Sequence, residues 1–307
     1  MREFNIDFNK TLKPILIAFI ALFIVGTVIA CIFGVKLDIN FSGGTKISYS
    51  YSGDITENDI KAVADEKLDA SYSISKSTAL AGDTKTFEIS LVGKDALSAE
   101  GQEELTNALT EKFKDNDINI YNSTSVSPTI AGTFFLKSIV AILITAILVV
   151  IYVGIRFRKI GGVSAAVTAL IALVFDILVT FFTCVFFRLQ IDANYIAVVL
   201  TILGYSLNDT IVIYDRVREN EKLNPGMEIG ELVNMSINKV MIRNIITTVT
   251  TFLAVTTIIV VSELFGLSSL RTFAIPMAFG LVSGGITSLF ISGPLWVIWK
   301  RRKAKKA

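Results

Sequence analysis

Histidine is absent from this 307-residue sequence, and cysteine occurs only twice. Without histidine the chain lacks the usual proton-transfer side chain near neutral pH and the commonest metal ligand. Any proton handling must therefore rely on carboxylates, tyrosines, hydroxyls and water. Cys31 and Cys184 both lie in apolar runs, and they form neither a disulfide framework nor a zinc-binding spacing. We expect no metal, no cofactor and no covalent chemistry, and therefore no enzyme.

Charged residues are also scarce, at 18% of the chain, whereas 52% of its residues are apolar. Such a chain is too apolar for a soluble domain and too charged to lie wholly inside a membrane. Residues 35–130 carry 9 basic against 16 acidic residues, a net charge of −7, and the remainder carries 20 against 11, a net of +9. Most of the basic excess flanks apolar runs, where it would meet membrane lipid, so we expect no nucleic acid partner.

Six apolar runs are long enough to cross the hydrocarbon core, which takes about 20 helical residues. They lie within Ile15–Phe33, Gly132–Ile155, Gly161–Phe187, Ala193–Tyr214, Val240–Ser262 and Arg271–Trp299. Basic clusters precede the first run and follow the second, fourth and sixth, so the positive-inside rule places both termini in the cytoplasm. The sequence predicts a multi-pass protein of the bacterial cytoplasmic (inner) membrane with residues 36–130 outside the cytoplasm.

The first run has an alternative interpretation. Residues 28–31 resemble a lipoprotein cleavage box, which would remove the segment and attach lipid to Cys31. The run is long for the apolar core of a signal peptide. We therefore favour a cytoplasmic N-terminus and a retained transmembrane helix over residues 1–35.

The polar residues 36–130 show alternating and helical patterns in the order β-α-β-β-α-β. The segments are Thr45–Ser52, Thr56–Ala70, Ser71–Thr78, Thr84–Val92, Ser98–Lys114 and Ile118–Val126, with a turn at residues 81–83. This order is the ferredoxin-like plan. We predict a membrane α-helical fold of six transmembrane helices, with one extracytoplasmic α+β ferredoxin-like (βαββαβ) domain between helices 1 and 2.

Residues 131–299 then hold transmembrane helices 2 to 6, and residues 300–307 form a basic cytoplasmic tail. Residues 228–240 place their apolar side chains on one helical face, which is typical of an amphipathic helix lying in the membrane interface on the cytoplasmic side. Gly280 and Gly284 in the last span have the spacing that lets two helices pack closely.

Four polar residues fall inside predicted spans: Asp176, Asn208, Asp209 and Arg243. A carboxylate at the membrane centre costs at least ~2.5 kcal/mol and usually marks an ion path or a buried pair. If spans four and five form a hairpin with its tip at Pro225-Gly226, Asp209 and Arg243 lie at equal depth, each 17 residues from Gly226. The pair could be a static packing contact, or a switch in which a proton neutralises Asp209 and frees Arg243.

Hydroxyl groups follow Arg243 at Thr247, Thr248, Thr250 and Thr251. They could hold water near the pair, although a threonine in a helix more often bonds its own backbone carbonyls. Asp176 could be a second acid on a proton path or a hydrogen-bond anchor, and the sequence favours neither.

Two motifs point to a family. Residues 204–220 read GYSLNDTIVIYDRVREN, and residues 38–45 read DINFSGGT. They resemble the fourth-span signature and the outer-domain motif of the SecF family, the smaller membrane subunits of bacterial SecD–SecF translocation complexes in the resistance–nodulation–division superfamily. The order of spans also agrees, so the resemblance covers essentially the whole chain. Some members have SecD and SecF fused, whereas this chain has one half.

The resemblance implies a subunit that pairs with SecD, works beside the SecYEG channel and uses the proton motive force to help export a secreted preprotein. It implies that Asp209 and Arg243 carry the proton coupling, with Asp176, Asn208 and Thr247 as supporting polar groups. Two other functions stay open: a half-size proton-driven exporter of lipids or small amphipathic molecules, and a structural membrane scaffold. The single outer domain argues against the exporter, and the scaffold predicts that Asp209→Asn is harmless.

Overall fold

The computed structural model describes residues 6–68, 72–78, 85–93 and 97–304. Its strands are β1 (Gly44–Tyr51), β2 (Tyr72–Thr78), β3 (Lys85–Val92) and β4 (Asn119–Val126). Its helices are α1 (Phe8–Phe33), α2 (Ile39–Ser42), α3 (Glu57–Lys67), α4 (Ala99–Lys112), α5 (Pro128–Arg156), α6 (Gly162–Phe186), α7 (Ala193–Leu223), α8 (Ile229–Leu264), α9 (Ser268–Thr287) and α10 (Gly293–Ala304).

Six helical segments of the described residues are long and apolar enough to cross a membrane, which confirms the predicted number. They are α1, α5, α6, α7, α8 and a last span that runs through α9 into α10. The last span and α6 are the most buried, so they form the centre of the bundle, whereas α1, α5 and α8 expose most of their apolar surface.

The last span contains a five-residue π-helical segment, Ser288–Ser292, between α9 and α10. Pro294 follows it, and a proline has no backbone N–H to donate and crowds the carbonyl four residues before it. The wider π turn accommodates this proline without breaking the span. It also turns the buried Ser288 and Ser292 toward the centre of the bundle.

Gly280 and Gly284 bring α9 close to its neighbours. A Cβ atom on Gly280 would lie 2.5 Å from Thr180 of α6, and one on Gly284 would lie 2.9 Å from Ser206 of α7. Real side chains are not found at such distances, so both positions require glycine. The close packing predicted from the glycine spacing is confirmed.

The four strands form one antiparallel sheet in the order β2-β3-β1-β4, which is the ferredoxin-like arrangement. The buried face of the sheet packs against α3 and α4 through an apolar core that includes Ile47, Tyr49, Phe87, Ile60 and Leu105. Each of the four strands, and each of the helices α3 and α4, differs from its predicted segment by three residues or fewer at either end. The predicted turn at residues 81–83 lies outside the described residues.

The motif at residues 38–45 builds the junction between α1 and the sheet. Asp38 is buried, accepts a hydrogen bond from the backbone N–H of Asn40 at the start of α2, and pairs with Lys46 Nζ at 3.0 Å. Gly44 has a φ of 134°, and a Cβ atom there would lie 2.0 Å from the carbonyl oxygen of Leu91. Only glycine can occupy that position.

A short parallel bridge links this junction to the connection between α6 and α7. Leu37 pairs with Ile191, the backbone N–H of Ile191 donates to Lys36 O at 2.8 Å, and that of Asp38 donates to Ile191 O at 3.1 Å. The base of the sheet domain is therefore joined to the helix bundle both through α1, which precedes it in the chain, and through the connection between α6 and α7.

The segment predicted as an amphipathic helix at residues 228–240 differs from expectation. It is the first part of the long helix α8, and its apolar side chains Leu232, Val233 and Ile237 are buried in the main core of the bundle. Asn234 and Asn238 on the same helix bond the backbone of Phe8 and Ile6. The apolar face of this segment therefore packs against other helices of the same chain, and it is not available to contact lipid.

Candidate functional site

Asp176 lies in the middle of α6 and is fully buried. Its carboxylate accepts hydrogen bonds from three hydroxyls on two other helices: Ser206 Oγ of α7 at 2.6 Å, Ser283 Oγ of α9 at 2.6 Å, and Thr287 Oγ1 of α9 at 2.9 and 3.0 Å. A buried carboxylate needs such partners to offset its loss of water. This Asp176 network holds three helices of the bundle together.

Asp209 lies one helical turn after Ser206 on α7 and is only 5% exposed. Unlike Asp176, it accepts no hydrogen bond from the described residues, and its Oδ2 atom is buried without a partner. A buried carboxylate oxygen without a donor is costly and uncommon. Asp209 is therefore the least satisfied acid within the spans.

Arg243 of α8 lies near Asp209 and acts on it electrostatically. No contact ion pair within 4.0 Å joins the two side chains among the described residues. Arg243 is exposed and lines a cavity of about 500 Å³, together with Asp215, Lys239 and Val240. The predicted hairpin does bring the two residues near each other, with Arg243 on the open side of the bundle.

Further polar groups continue from Arg243 toward the last span. Asn244 Nδ2 donates to Ser288 Oγ at 3.2 Å, and Ser288 belongs to the π-helical segment. Asn244 Oδ1 and Thr248 Oγ1 are buried and accept or donate no hydrogen bond within the part of the chain that the structure describes. Together with Asp209 Oδ2 they give three buried side-chain oxygen atoms, along the contact of α7, α8 and the last span, that have no hydrogen-bond partner among the described residues. A carboxyl group and a hydroxyl group can exchange protons with water, whereas the amide of Asn244 can only donate and accept hydrogen bonds.

A comparison with known families agrees with this architecture. The family model for the protein export membrane protein SecD/SecF, C-terminal, matches residues 105–302, which include all five spans after α1. The chain belongs to the SecD/SecF family.

Similar family members extend the match over the whole chain. The sequence is 32% identical to a protein translocase subunit SecF of Petrotoga mobilis, covering 99% of each chain. It is also 32% identical to the protein translocase subunit SecDF of Bacillus subtilis, covering 98% of this chain but 39% of that one.

A solved family structure has the same fold. The crystal structure of SecDF from Thermus thermophilus, described as a translocon-associated membrane protein, matches 97% of this chain with a TM-score of 0.79 and 27% identity. The chain spans about two fifths of that SecDF chain, since it covers 39% of it.

Two of the predicted supporting residues in this family member form no hydrogen bond to Asp209 among the described residues. Asn208 is exposed on the outer surface of α7, and no hydrogen bond joins it to the described residues. Thr247 Oγ1 donates to its own helix, at Arg243 O and Asn244 O. Thr250 and Thr251 also donate to their own helix, and Thr251 accepts a hydrogen bond from Tyr205 OH of α7 at 3.3 Å. Of the four threonines, Thr248 alone has a hydroxyl without a partner among the described residues.

Sequence reasoning missed Ser206, Ser283, Thr287 and Asn244. Ser283 and Thr287 are four residues apart, so they share a helical face with each other, and that face also carries the Gly280 and Gly284 positions. A small-residue face with regularly spaced hydroxyls could have suggested a polar contact. Which acid it would meet depends on helix packing, which a single sequence does not give.

Proposed function

We propose that this chain is the SecF-type subunit of a Sec protein translocase, in which proton transfer at Asp209 assists the late export of secreted proteins. Support comes from relatives of nearly equal length that carry the name protein translocase subunit SecF. Among the structural features, the proposal rests on the buried Asp209 carboxylate, which lies near Arg243 and has neither a contact ion pair nor a hydrogen-bond donor among the described residues.

The proposed switch uses the charge of Asp209. While ionised, Asp209 attracts Arg243 across the contact of α7 and α8, and a proton on the carboxylate ends that attraction. Arg243 lines an open cavity, so it can move away from α7 without displacing buried side chains. Moving one elementary charge through 100 mV releases ~2.3 kcal/mol, which is enough to shift a two-state equilibrium about fiftyfold.

The Asp176 network supplies the fixed part of this mechanism. Its three hydroxyl donors tie α6, α7 and α9 together, whereas no hydrogen bond among the described residues joins α8 to Asp209, on which Arg243 acts electrostatically. We assign Asp176 to anchoring rather than to proton transfer. Movement would then occur between α8 and the remaining helices.

SecD is the proposed partner. SecD and SecF occur as one SecDF chain in Bacillus subtilis, and the SecDF chain of known structure is more than twice as long as this one. In this chain α8 exposes apolar side chains, and Asn208 and Arg243 are also exposed. A second set of transmembrane helices could cover this surface. We further propose the SecYEG channel as a neighbour and a secreted preprotein as the client.

The proposed location is the bacterial cytoplasmic membrane, with both termini in the cytoplasm and residues 36–130 outside. Arg156 is the last residue of α5, Arg158 and Lys159 follow it, and residues 301–303 lie in the last turn of α10, so the cations gather at one end of the bundle. The sheet domain lies at the other end. Basic residues concentrate on the cytoplasmic side of membrane proteins.

The test compares three variants in cells whose only copy of the subunit is the plasmid-borne one. We expect Asp209→Asn and Arg243→Ala to reduce secretion to the level of cells without the subunit, at an unchanged amount of protein in the membrane. Glu111→Gln, which removes an exposed carboxylate of the sheet domain, serves as the control and should secrete normally.

Proton uptake into vesicles that contain the subunit with SecD gives the second measurement. Both intramembrane variants should abolish the uptake that depends on the subunit. Normal secretion with both changes would refute the coupling proposal, and lost efflux of an amphipathic dye with normal secretion would support the exporter instead.

A further inference from the structure

A wide cavity among the described residues lies at the basic end of the bundle. It has a volume of about 1020 Å³ and opens between the end of α5, the turn before α6, the end of α7, and α10. We call it the basic pocket. Its walls include Arg158, Lys159, Lys222, Lys300 and Lys303.

The basic pocket carries a strong excess of positive charge. Arg156 and Arg218 also line it, but both pair with Asp215, at 3.1 and 3.0 Å. None of the other five cations forms a salt bridge to any described residue, and no acidic residue lines the cavity. Like charges so close together repel one another, so an anion in the pocket would relieve this repulsion.

Lys300 is held in place within the pocket. Its ammonium lies 5.3 Å from the ring centroid of Trp296, and a Cβ atom on Gly161 would lie 2.8 Å from it. Gly161 has a φ of 100°, a conformation that glycine adopts readily. The turn before α6 therefore keeps its backbone close to Lys300 and leaves no space for a side chain between them.

Apolar side chains adjoin the cations at the rim. Ile155, Val163 and Trp299 line the same cavity and are exposed. They lie where the apolar parts of α5, α6 and the last span meet their basic ends, so the pocket lies at the level where a bilayer's headgroups begin. A ligand that fits both surfaces has an anionic head and an apolar body.

We propose that the basic pocket binds the phosphate of an anionic phospholipid, whose acyl chains run along Ile155, Val163 and Trp299. Phosphate oxygens accept charge-assisted hydrogen bonds from lysine and arginine, and basic pockets between transmembrane helices suit such headgroups. A soluble phosphate would satisfy the cations equally but would not use the apolar rim. The proposal concerns a site away from Asp209 and holds whether or not that residue couples proton transfer.

The experiment uses the purified full chain in a neutral detergent and titrates in phosphatidylglycerol, with native mass spectrometry to count bound lipid. Phosphatidylcholine is the neutral lipid control, and inorganic phosphate is the soluble competitor. Arg158→Gln/Lys159→Gln and Lys222→Gln/Lys303→Gln each remove two unpaired cations from different walls. The matched control, Arg216→Gln/Arg302→Gln, removes two cations that do not line the pocket.

We expect one tightly bound phosphatidylglycerol, at least tenfold weaker binding in both pocket variants, and less than a twofold change in the control. Phosphatidylcholine should not occupy the site. Equal weakening in all three double variants would show diffuse attraction and overturn the proposal. Displacement of the lipid by millimolar inorganic phosphate would also overturn it, in favour of a soluble phosphate site. Unfolding temperatures without lipid establish that each variant is folded.

Discussion

Ser206 Oγ donates a hydrogen bond to Asp176 Oδ2 over 2.6 Å, and Ser206 lies one turn before Asp209 on the same helix. One short stretch of α7 therefore donates a hydrogen bond to the Asp176 carboxylate of α6 and also carries Asp209. One of them has three hydroxyl donors, whereas the other has none among the described residues. This contrast in hydrogen bonding is the basis for the proposed division between an anchoring acid, Asp176, and a proton-accepting acid, Asp209.

The first prediction concerns the anchoring acid. Asp176→Ala leaves Ser206, Ser283 and Thr287 without their acceptor, and interhelical hydrogen bonds in membranes contribute ~0.6–1.7 kcal/mol each. We expect a loss of about 2–5 kcal/mol in unfolding free energy, measured by denaturant titration in detergent. Asp176→Asn retains one acceptor oxygen and should lose roughly half as much. Equal stability of the alanine variant and the unchanged protein would contradict the anchoring role.

The second prediction concerns the contact of α9 with α7. Gly284→Ala places a methyl group 2.9 Å from Ser206 Cβ, so the helices must separate. Overpacking of this kind costs typically 1–3 kcal/mol. We expect a lower unfolding temperature in detergent and reduced secretion in cells.

Gly204→Ala is the matched control for that contact, because a Cβ atom on Gly204 has no neighbour within 4 Å. Alanine also favours a helix over glycine. The control should therefore unfold at the same temperature or slightly higher. A loss of stability equal to that of Gly284→Ala would show that helix separation is not the cause.

The third prediction concerns the core of the sheet domain. Phe87 of β3 is buried and its ring stacks on that of Tyr49, with centroids 5.0 Å apart. Phe87→Ala removes this contact and leaves a cavity, which costs ~3–5 kcal/mol. We expect faster amide hydrogen exchange in β1 and β3 with no change in the spans. Tyr121→Ala, at an exposed position of β4, should leave the exchange rates unaltered.

The fourth prediction is a pH dependence at the start of α8. Burial tends to raise the pKa of Glu228, but Arg301 and the backbone N–H groups of Glu231 and Gly230 act more strongly, so its pKa is lowered from the usual value. A lowered carboxyl pKa stabilises the fold above the unfolded-state pKa near ~4.3, and this contribution is lost as the pH falls through the folded-state value.

Glu228→Gln should therefore reduce the unfolding temperature at pH 7, by an amount that corresponds to less than about 1 kcal/mol because solvent screens the exposed pair. The difference from the unchanged protein should shrink as the pH falls below about 4. Glu221→Gln, which alters a carboxylate with no salt bridge among the described residues, should show neither effect. A difference that grows toward low pH would have the wrong sign for this mechanism.

Much of the architecture could be predicted because its signals are local. Apolar runs near 20 residues and a basic charge at their ends give the spans, and the alternating and helical periods give the βαββαβ order. Asp209 and Arg243 stood out for a similar reason, since a charge inside an apolar run is easily recognised. The sequence also predicted that the two residues lie close together, because each is 17 residues from Gly226 in the turn between their helices.

The remaining features depend on which helices meet. Ser283 and Thr287 could not be assigned to Asp176 from sequence, since most hydroxyls in a helix bond their own carbonyls, as Thr247 does. The apolar face of residues 228–240 could not be assigned to protein rather than lipid, because both environments favour the same side chains. The sequence likewise could not show whether Asp209 and Arg243 form a contact ion pair. Two residues at equal depth in the membrane can still point their side chains in different directions.

The bridge between Leu37 and Ile191 attaches the base of the sheet domain to the connection between α6 and α7, so a rotation of these helices would tilt the whole domain. A strand of eight residues spans ~26 Å, so a tilt of about 10° at the bridge would displace the far end by ~4.5 Å. Backbone hydrogen bonds on both sides of Ile191 transmit such a tilt without stretching a flexible linker. A small rotation of α6 against α7 would thus move the far end of the sheet domain by about the distance between two atoms in contact.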